Sequence, residues 1–196
     1  MSMRRRVSLL LLVTAVLAAP VGAAVSSDGF QIARLKYGGG GDWYANPTSL
    51  PNLMKELQAR TPIRVAGLRE ERVELLDEAL FSYPLLYMNG HGEVRLGQAE
   101  AERLRDYLER GGFLWADDNY GMDRHFRAQL DRLLPGSPIV ELPYDHEIYY
   151  SFYEFPEGLP KIHEHDGGPP HGYGVFLDGR MVVYYSFNTD IGDGPV

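Results

Sequence analysis

Apolar residues recur along this chain in two rhythms, short alternating or unbroken runs and stripes spaced three and four apart, and their succession sets the fold class. Residues 30–37 read as a strand, followed by a long loop over 38–47. Leu50, Leu53, Met54 and Leu57 fall at i, i+3, i+4 and i+7, which predicts a helix capped by Thr48 or Ser49, with Pro51 tolerated in its first turn. Residues 63–66 form a short second predicted strand, and 69–80 a second helix with Val73, Leu76 and Leu80 on one face. The unbroken run 84–88 suits a strand buried on both faces of a parallel sheet. A third helix over 98–110 turns Ala101, Leu104 and Leu108 inward and stops at Gly111. The buried strand 113–116 follows, then a helix over 122–134 carrying Met122, Phe126, Leu130 and Leu133 on one side.

Successive strand-helix units with short connections imply right-handed crossovers and an open, mostly parallel, doubly wound α/β sheet with helices on both faces. The last third is different. Residues 139–142, 148–155, 175–177 and 180–187 read as strands with no helices between them, and Asp178-Gly179 is a two-residue hairpin signal. These are expected to be antiparallel strands at the C-terminal edge of the sheet.

The first 24 residues stand apart. Arg4, Arg5 and Arg6 precede an apolar run that ends at Pro20, Gly22, Ala23 and Ala24, the three-part layout of a secretory signal removed after Ala23 or Ala24. A retained anchor is the alternative: residues 7–25 make a run of 19, but Pro20 and Gly22 shorten its helical part below the usual span of about 20. Cleavage leaves residues 25–196 as one domain, bound for the periplasm or the exterior. It also takes away three arginines and no acid, moving the net charge from −8 to −11. Such a surface repels phosphate backbones and anionic lipid, which disfavours nucleic-acid partners and leaves membrane attachment to a retained leader. The chain has no cysteine, so thiol nucleophiles and thiolate metal ligands are excluded and any chemistry must use oxygen or imidazole.

Three polar clusters follow predicted strands, where ligands collect in open α/β sheets. The first is the loop holding Gly39, Gly40, Asp42, Trp43 and Tyr44, whose glycines can expose backbone amides and whose aromatics can stack on a ligand or fold onto the core. It lacks the third glycine of G-x-G-x-x-G and has no Gly-Lys-Ser/Thr, so it is no nucleotide fingerprint. The second is Asn89-Gly90-His91-Gly92, where flanking glycines permit a sharp turn that projects His91 as base, hydrogen-bond donor or metal ligand. The third is Asp117-Asp118. Neighbouring strand residues face opposite ways, so one aspartate is expected in the crevice and the other on the helix start near Met122. His91 and one aspartate do not fix an ion, and no metal or other cofactor is specified. Asp145 and His146, after another predicted strand, are expected to complete the pocket. The tract His163-Glu164-His165-Asp166 has a metal-binding composition, but its glycine- and proline-rich setting favours a solvated loop.

Residues 34–44, 89–92, 111–118 and 142–146 together resemble the bacterial domain of unknown function 4159 family, and the likeness runs through most of the chain after the leader. The resemblance implies a fold of the flavodoxin-like, class I glutamine amidotransferase-like and trehalose-utilisation-like kind, and a place in cell-envelope assemblies. It implies no activity. Amidotransferases carry a catalytic cysteine on the turn that here holds His91, so thiol-dependent glutamine hydrolysis is excluded. Two functions are expected to compete. The favoured one is a non-catalytic module that uses the glycine loop, His91 and Asp117 to hold a small polar ligand such as a sugar, or scaffolds an envelope protein. The other is a hydrolase in which His91, Asp117 and Asp118 activate water, with or without a metal; it lacks a serine on the turn.

Overall fold

In the computed structural model, which describes residues 29–165 and 167–194, seven strands form one sheet. They are β1 (Ile32–Leu35), β2 (Glu71–Val73), β3 (Leu85–His91), β4 (Phe113–Tyr120), β5 (Val140–Glu141), β6 (His171–Leu177) and β7 (Arg180–Phe187). Their spatial order is β2-β1-β3-β4-β7-β6-β5. The leader predicted at residues 1–24 and Asp166 lie outside the described residues. No helix among the described residues is long and apolar enough to cross a membrane.

Side-chain alternation along the central strands builds two cores. Leu86 and Met88 of β3 join Leu114 and Ala116 of β4 on one face, covered by α2 (Gln98–Glu109) through Leu104 and Leu108 and by α3 (Asp123–Leu133) through Phe126 and Leu130. On the other face Ile32 and Tyr87 receive Leu50 and Met54 of α1 (Ser49–Arg60), with Leu53 and Leu57 packed alongside. The predicted stripe of α1 is therefore its buried face.

Three predicted elements are corrected. Residues 63–66 make only an isolated bridge, Val65 to Phe30, and β2 lies inside the stretch read as a helix over 69–80. Val73 and Leu75 are buried while Leu76 is 59 % exposed, so the spacing that mimicked a helix belongs to an extended segment followed by a short 3-10 turn, Glu78–Ser82. Residues 148–155 form no strand. Glu147–Tyr149 is a 3-10 turn and Phe152 and Tyr153 are exposed, while β6 takes the place in the sheet. Glycines at 172 and 174 hid the start of β6 from the strand pattern. A Cβ at Gly172 would collide with the Tyr149 hydroxyl, so glycine is what lets this aromatic lie over the strand. Finally, β7 is parallel to β4, and β6 alone runs against the rest. The Asp178-Gly179 hairpin is present, with both residues at positive φ, 48° and 79°.

One residue of β1 breaks the apolar rule. Arg34 is fully buried, its guanidinium 5.2 Å from the Tyr87 ring centroid. It donates to Glu70 Oε2 (2.7 Å), to the carbonyls of Trp43 (3.3 Å), Ala45 (2.9 Å) and Asn46 (3.0 Å), to Ser49 Oγ (3.3 Å) and to Asn89 Oδ1. One side chain thus fixes the loop after β1, the start of α1 and the end of β3. Arg34→Met would strand several buried acceptors and leave the Glu70 carboxylate with Arg72 as its one cation among the described residues. It should lower the unfolding free energy by about 3–5 kcal/mol, read as a fall in the urea midpoint. Arg34→Lys should not restore stability, because an ammonium cannot span that fork of acceptors; a wild-type midpoint in either variant would refute the role.

Candidate functional site

The loop after β1 departs to one side of the sheet and the turn after β3 to the other, because β1 lies between β2 and β3 and the winding reverses there. The candidate site begins at this reversal. The glycine run packs against residues 91–95 rather than standing open. The Gly41 amide donates to the Glu93 carbonyl (3.0 Å), the Arg95 amide donates to the Gly38 carbonyl (2.8 Å), and a Cβ at Gly39 would lie 2.8 Å from the Arg95 nitrogen. Gly40, at φ 92°, has open space around it. Close backbone approach therefore accounts for the glycines on either side of it.

This packing delivers Asp42 to His91. The His91 backbone amide donates to Asp42 Oδ1, and His91 Nδ1 lies 3.0 Å from Asp42 Oδ2. With Nδ1 held by a carboxylate, Nε2 is the nitrogen left for a ligand. Gly90, at φ 141°, is required for the turn because a Cβ there would meet the Tyr37 hydroxyl and the Asp42 backbone. Tyr37 is spent on structure: its hydroxyl donates to the Asn89 carbonyl (3.0 Å), and burial with the neighbouring Asp42 pushes its phenol far above the ordinary range. Asn89 is fully buried between Arg34 and the Ala45 carbonyl, to which its amide donates at 3.1 Å. It braces the loop and offers nothing to a ligand.

The acidic doublet divides its labour. Asp118 Oδ1 accepts from the Met122 amide (2.9 Å) at the start of α3, and the same residue borders a hollow of about 410 Å³ shared with Asn119, Tyr120, Arg124, Phe187 and Asn188. Asp117, on the opposite face and fully buried, accepts from the Tyr87 hydroxyl (3.1 Å), the Ser186 hydroxyl, and the amides of Ile191 (3.2 Å) and Gly192 (2.8 Å). It clamps the segment after β7 onto the sheet. The helix-start aspartate and the crevice aspartate are thus one residue.

His91 pairs in register with Tyr120, and the Gly92 amide donates to the Tyr120 carbonyl (3.1 Å), so the ends of β3 and β4 form one rim. Tyr120 is 53 % exposed. Asn119, absent from the sequence reading, is buried; its Oδ1 accepts from the Gly90 amide (2.9 Å) while its Nδ2 has no partner. Extending the alternation of β4 past Asp118 would have found Tyr120 but not Asn119, which the register shift between Gly90 and His91 skips.

Other expected members stand apart. Trp43 is packed on the core, 5.5 Å from the Arg72 guanidinium, and meets Tyr44 edge-on; Tyr44 is exposed. Asp145 is exposed, and His146 lies beside Phe176 in a hollow with Phe113 and Met181, near the starts of β4 and β7 and so at the opposite end of the sheet from His91. The structure therefore brings together His91, Asp42, Asp118, Asn119 and Tyr120, and does not bring His146 to them.

Residues 163–165 of the tract expected to be a solvated loop, with Ile162 before them, are folded onto the chain after β7. The Ile162 and His163 amides both donate to the Thr189 carbonyl (3.1 and 3.0 Å), and Asn188 Nδ2 donates to the Gly168 carbonyl (2.8 Å). His165 stacks on Tyr120 at 5.0 Å and meets His91 edge-on at 5.6 Å between ring centroids.

Burial raises the carboxyls of Asp117, Asp118 and Asp190 from 3.8 to about 6 each. A proton held more tightly in the fold than in the unfolded chain stabilises the fold fully below about 4, and that stabilisation fades as pH rises through about 6. His165, lowered by burial and by His163 and His91, opposes this as one group against three. The melting temperature should therefore be a few degrees higher at pH 5 than at pH 7.5, roughly the scale of 1 kcal/mol in a domain of this size. Asp118→Asn should shrink the difference, and a melting temperature that falls on acidification would refute the assignment.

Comparison with curated proteins gives no match. The family described as domain of unknown function (DUF4159) matches residues 31–194, a span that contains β1 to β7, the buried Arg34 and every residue of the rim around His91. The chain belongs to this DUF4159 family.

Proposed function

We propose that the chain is an exported ligand-binding module of the bacterial cell envelope that holds a small polar ligand, a carbohydrate above all, at the rim formed by the ends of β3 and β4. The observation that carries this reading is the rim itself. The His91–Asp42 pair is open to solvent at 43 % and 34 % of its side chains, and beside it lie the exposed Tyr120 ring and the polar hollow bordered by Asp118 and Asn119. Polar groups fixed by buried supports, next to an exposed aromatic face, suit a hydroxylated ring with one apolar side. The order β2-β1-β3-β4-β7 follows the 2-1-3-4-5 winding of flavodoxin-like sheets, with β7 in fifth place, and supports the flavodoxin-like or glutamine amidotransferase-like assignment. Export rests on the arginine-led apolar leader, and the strongly acidic remainder supports a partner other than nucleic acid.

Binding rather than turnover is favoured because His91 has only the Asp42 carboxylate as polar partner among the described residues, with no hydroxyl nucleophile hydrogen-bonded to its ring. The reading is tested by calorimetric titration with soluble peptidoglycan fragments and neutral oligosaccharides. At least one probe should bind saturably, His91→Ala and Tyr120→Ala should each weaken it tenfold or more, and no product should accumulate. Release of product that His91→Ala abolishes, or the absence of binding across the panel, would overturn it.

A further inference from the structure

Residues 163–165 place two imidazoles one residue apart in a segment with no helix or strand of its own. The contacts to Thr189 and Asn188 anchor that segment, and the anchoring brings His163 and His165 against Asp190, whose carboxylate is buried. One ligand atom from each of the three lies within 4.8 Å of the other two, and His165 Nε2 is 3.8 Å from Asp190 Oδ2.

Two further observations show that these groups are held for something other than one another. His165 Nε2 is inaccessible to solvent and has no hydrogen-bond partner, although its ring is stacked flat on His163 at 4.3 Å and on Tyr120 on the rim. A buried ring nitrogen left unsatisfied is costly unless an ion completes it. The supports around the cluster are also those that orient metal ligands. His163 Nδ1 lies 2.8 Å from Asp193 Oδ2, which fixes that ring's tautomer, and Asn46 Nδ2 donates to Asp190 Oδ1 (3.0 Å), leaving Oδ2 on the His165 side.

We propose that the imidazoles of His163 and His165 and the carboxylate of Asp190 form a binding site for a first-row divalent cation, with zinc the best fit. Two nitrogens and one oxygen suit zinc, whereas calcium and magnesium favour all-oxygen shells. Ligand atoms of a tetrahedral zinc site stand roughly 3.3 Å apart for bonds of about 2.0–2.1 Å. Reaching that spacing requires the stacked rings of His163 and His165 to tilt so that one nitrogen of each points to a common centre. Three protein ligands leave one coordination position unfilled. An ion there also staples residues 162–165 to the chain after β7, beside His91. The inference does not depend on the carbohydrate reading, since ion binding is measured with no organic ligand present.

The test is titration of the full chain, purified without a histidine tag, with zinc chloride by calorimetry and with cobalt(II) chloride by visible absorption. One ion per chain should bind, with the intense visible bands of four-coordinate cobalt. His163→Ala, whose side chain is 48 % exposed and whose loss leaves the core untouched, should weaken zinc at least tenfold. Asp190→Asn should do the same. Asp193→Asn should weaken it severalfold by releasing the His163 tautomer, and His171→Ala, at a separate pair with Glu141, should leave it unchanged. Absence of stoichiometric binding, or equal affinity in wild type and His163→Ala, would overturn the site.

Discussion

A guanidinium buried in the middle strand of three is the constraint on which the site depends. Removing a charge from water is expensive, and Arg34 is tolerated only because Glu70 supplies the opposite charge and five other oxygens take up its remaining protons. Three of those oxygens are carbonyls of residues 43–46, so the loop after β1 cannot move without uncovering the charge. Asn89 ties the end of β3 to the same group, and Asp42, one residue before this anchored stretch, is thereby presented to His91. The geometry of the rim follows from satisfying one buried cation.

The aspartates work in the same fashion at the far side of β4. Asp117 gathers the hydroxyls of Tyr87 on β3 and Ser186 on β7 together with two backbone amides from the chain after β7, and Asp118 closes the start of α3. Both sit where water is largely absent, so both hold protons into the range near neutrality. Adjacent residues on one strand thus secure elements on opposite faces of the sheet, which is the alternation of a pleated strand used for anchoring rather than for a core.

Elements with a strong period were legible before any coordinates: the α1 stripe, the α2 and α3 faces, and the unbroken apolar runs that became β3 and β4. The failures share a cause. At 71–76 and 171–174 the strand identity is decided by neighbours, since Val73 is buried by Leu35 beside it in register and the β6 glycines are selected by the Tyr149 ring above them. Neither effect is visible in local spacing. Among the candidate residues, the place of His91 was legible from its glycine flanks, while strand position offered the aspartate doublet and favoured Asp117, which the structure turns to the opposite face. Arg34 was not singled out, although a charge at an inward position of an otherwise apolar strand is its own signal. The metal-binding composition of the imidazoles of 163–165 was legible, but their meeting with Asp190 was not, because it depends on two irregular segments bonding to each other, and no periodicity encodes that.

The two outermost strands bear on how this protein meets its neighbours. β2 has three residues and β5 two, and of these five only Val73 is buried; the others include Glu71, Arg72 and Glu141. A row of free amides and carbonyls so brief and so charged is a poor template for another chain's strand. Open-ended polymerisation through sheet continuation is thereby discouraged, and the sheet's two edges close themselves without needing a covering helix.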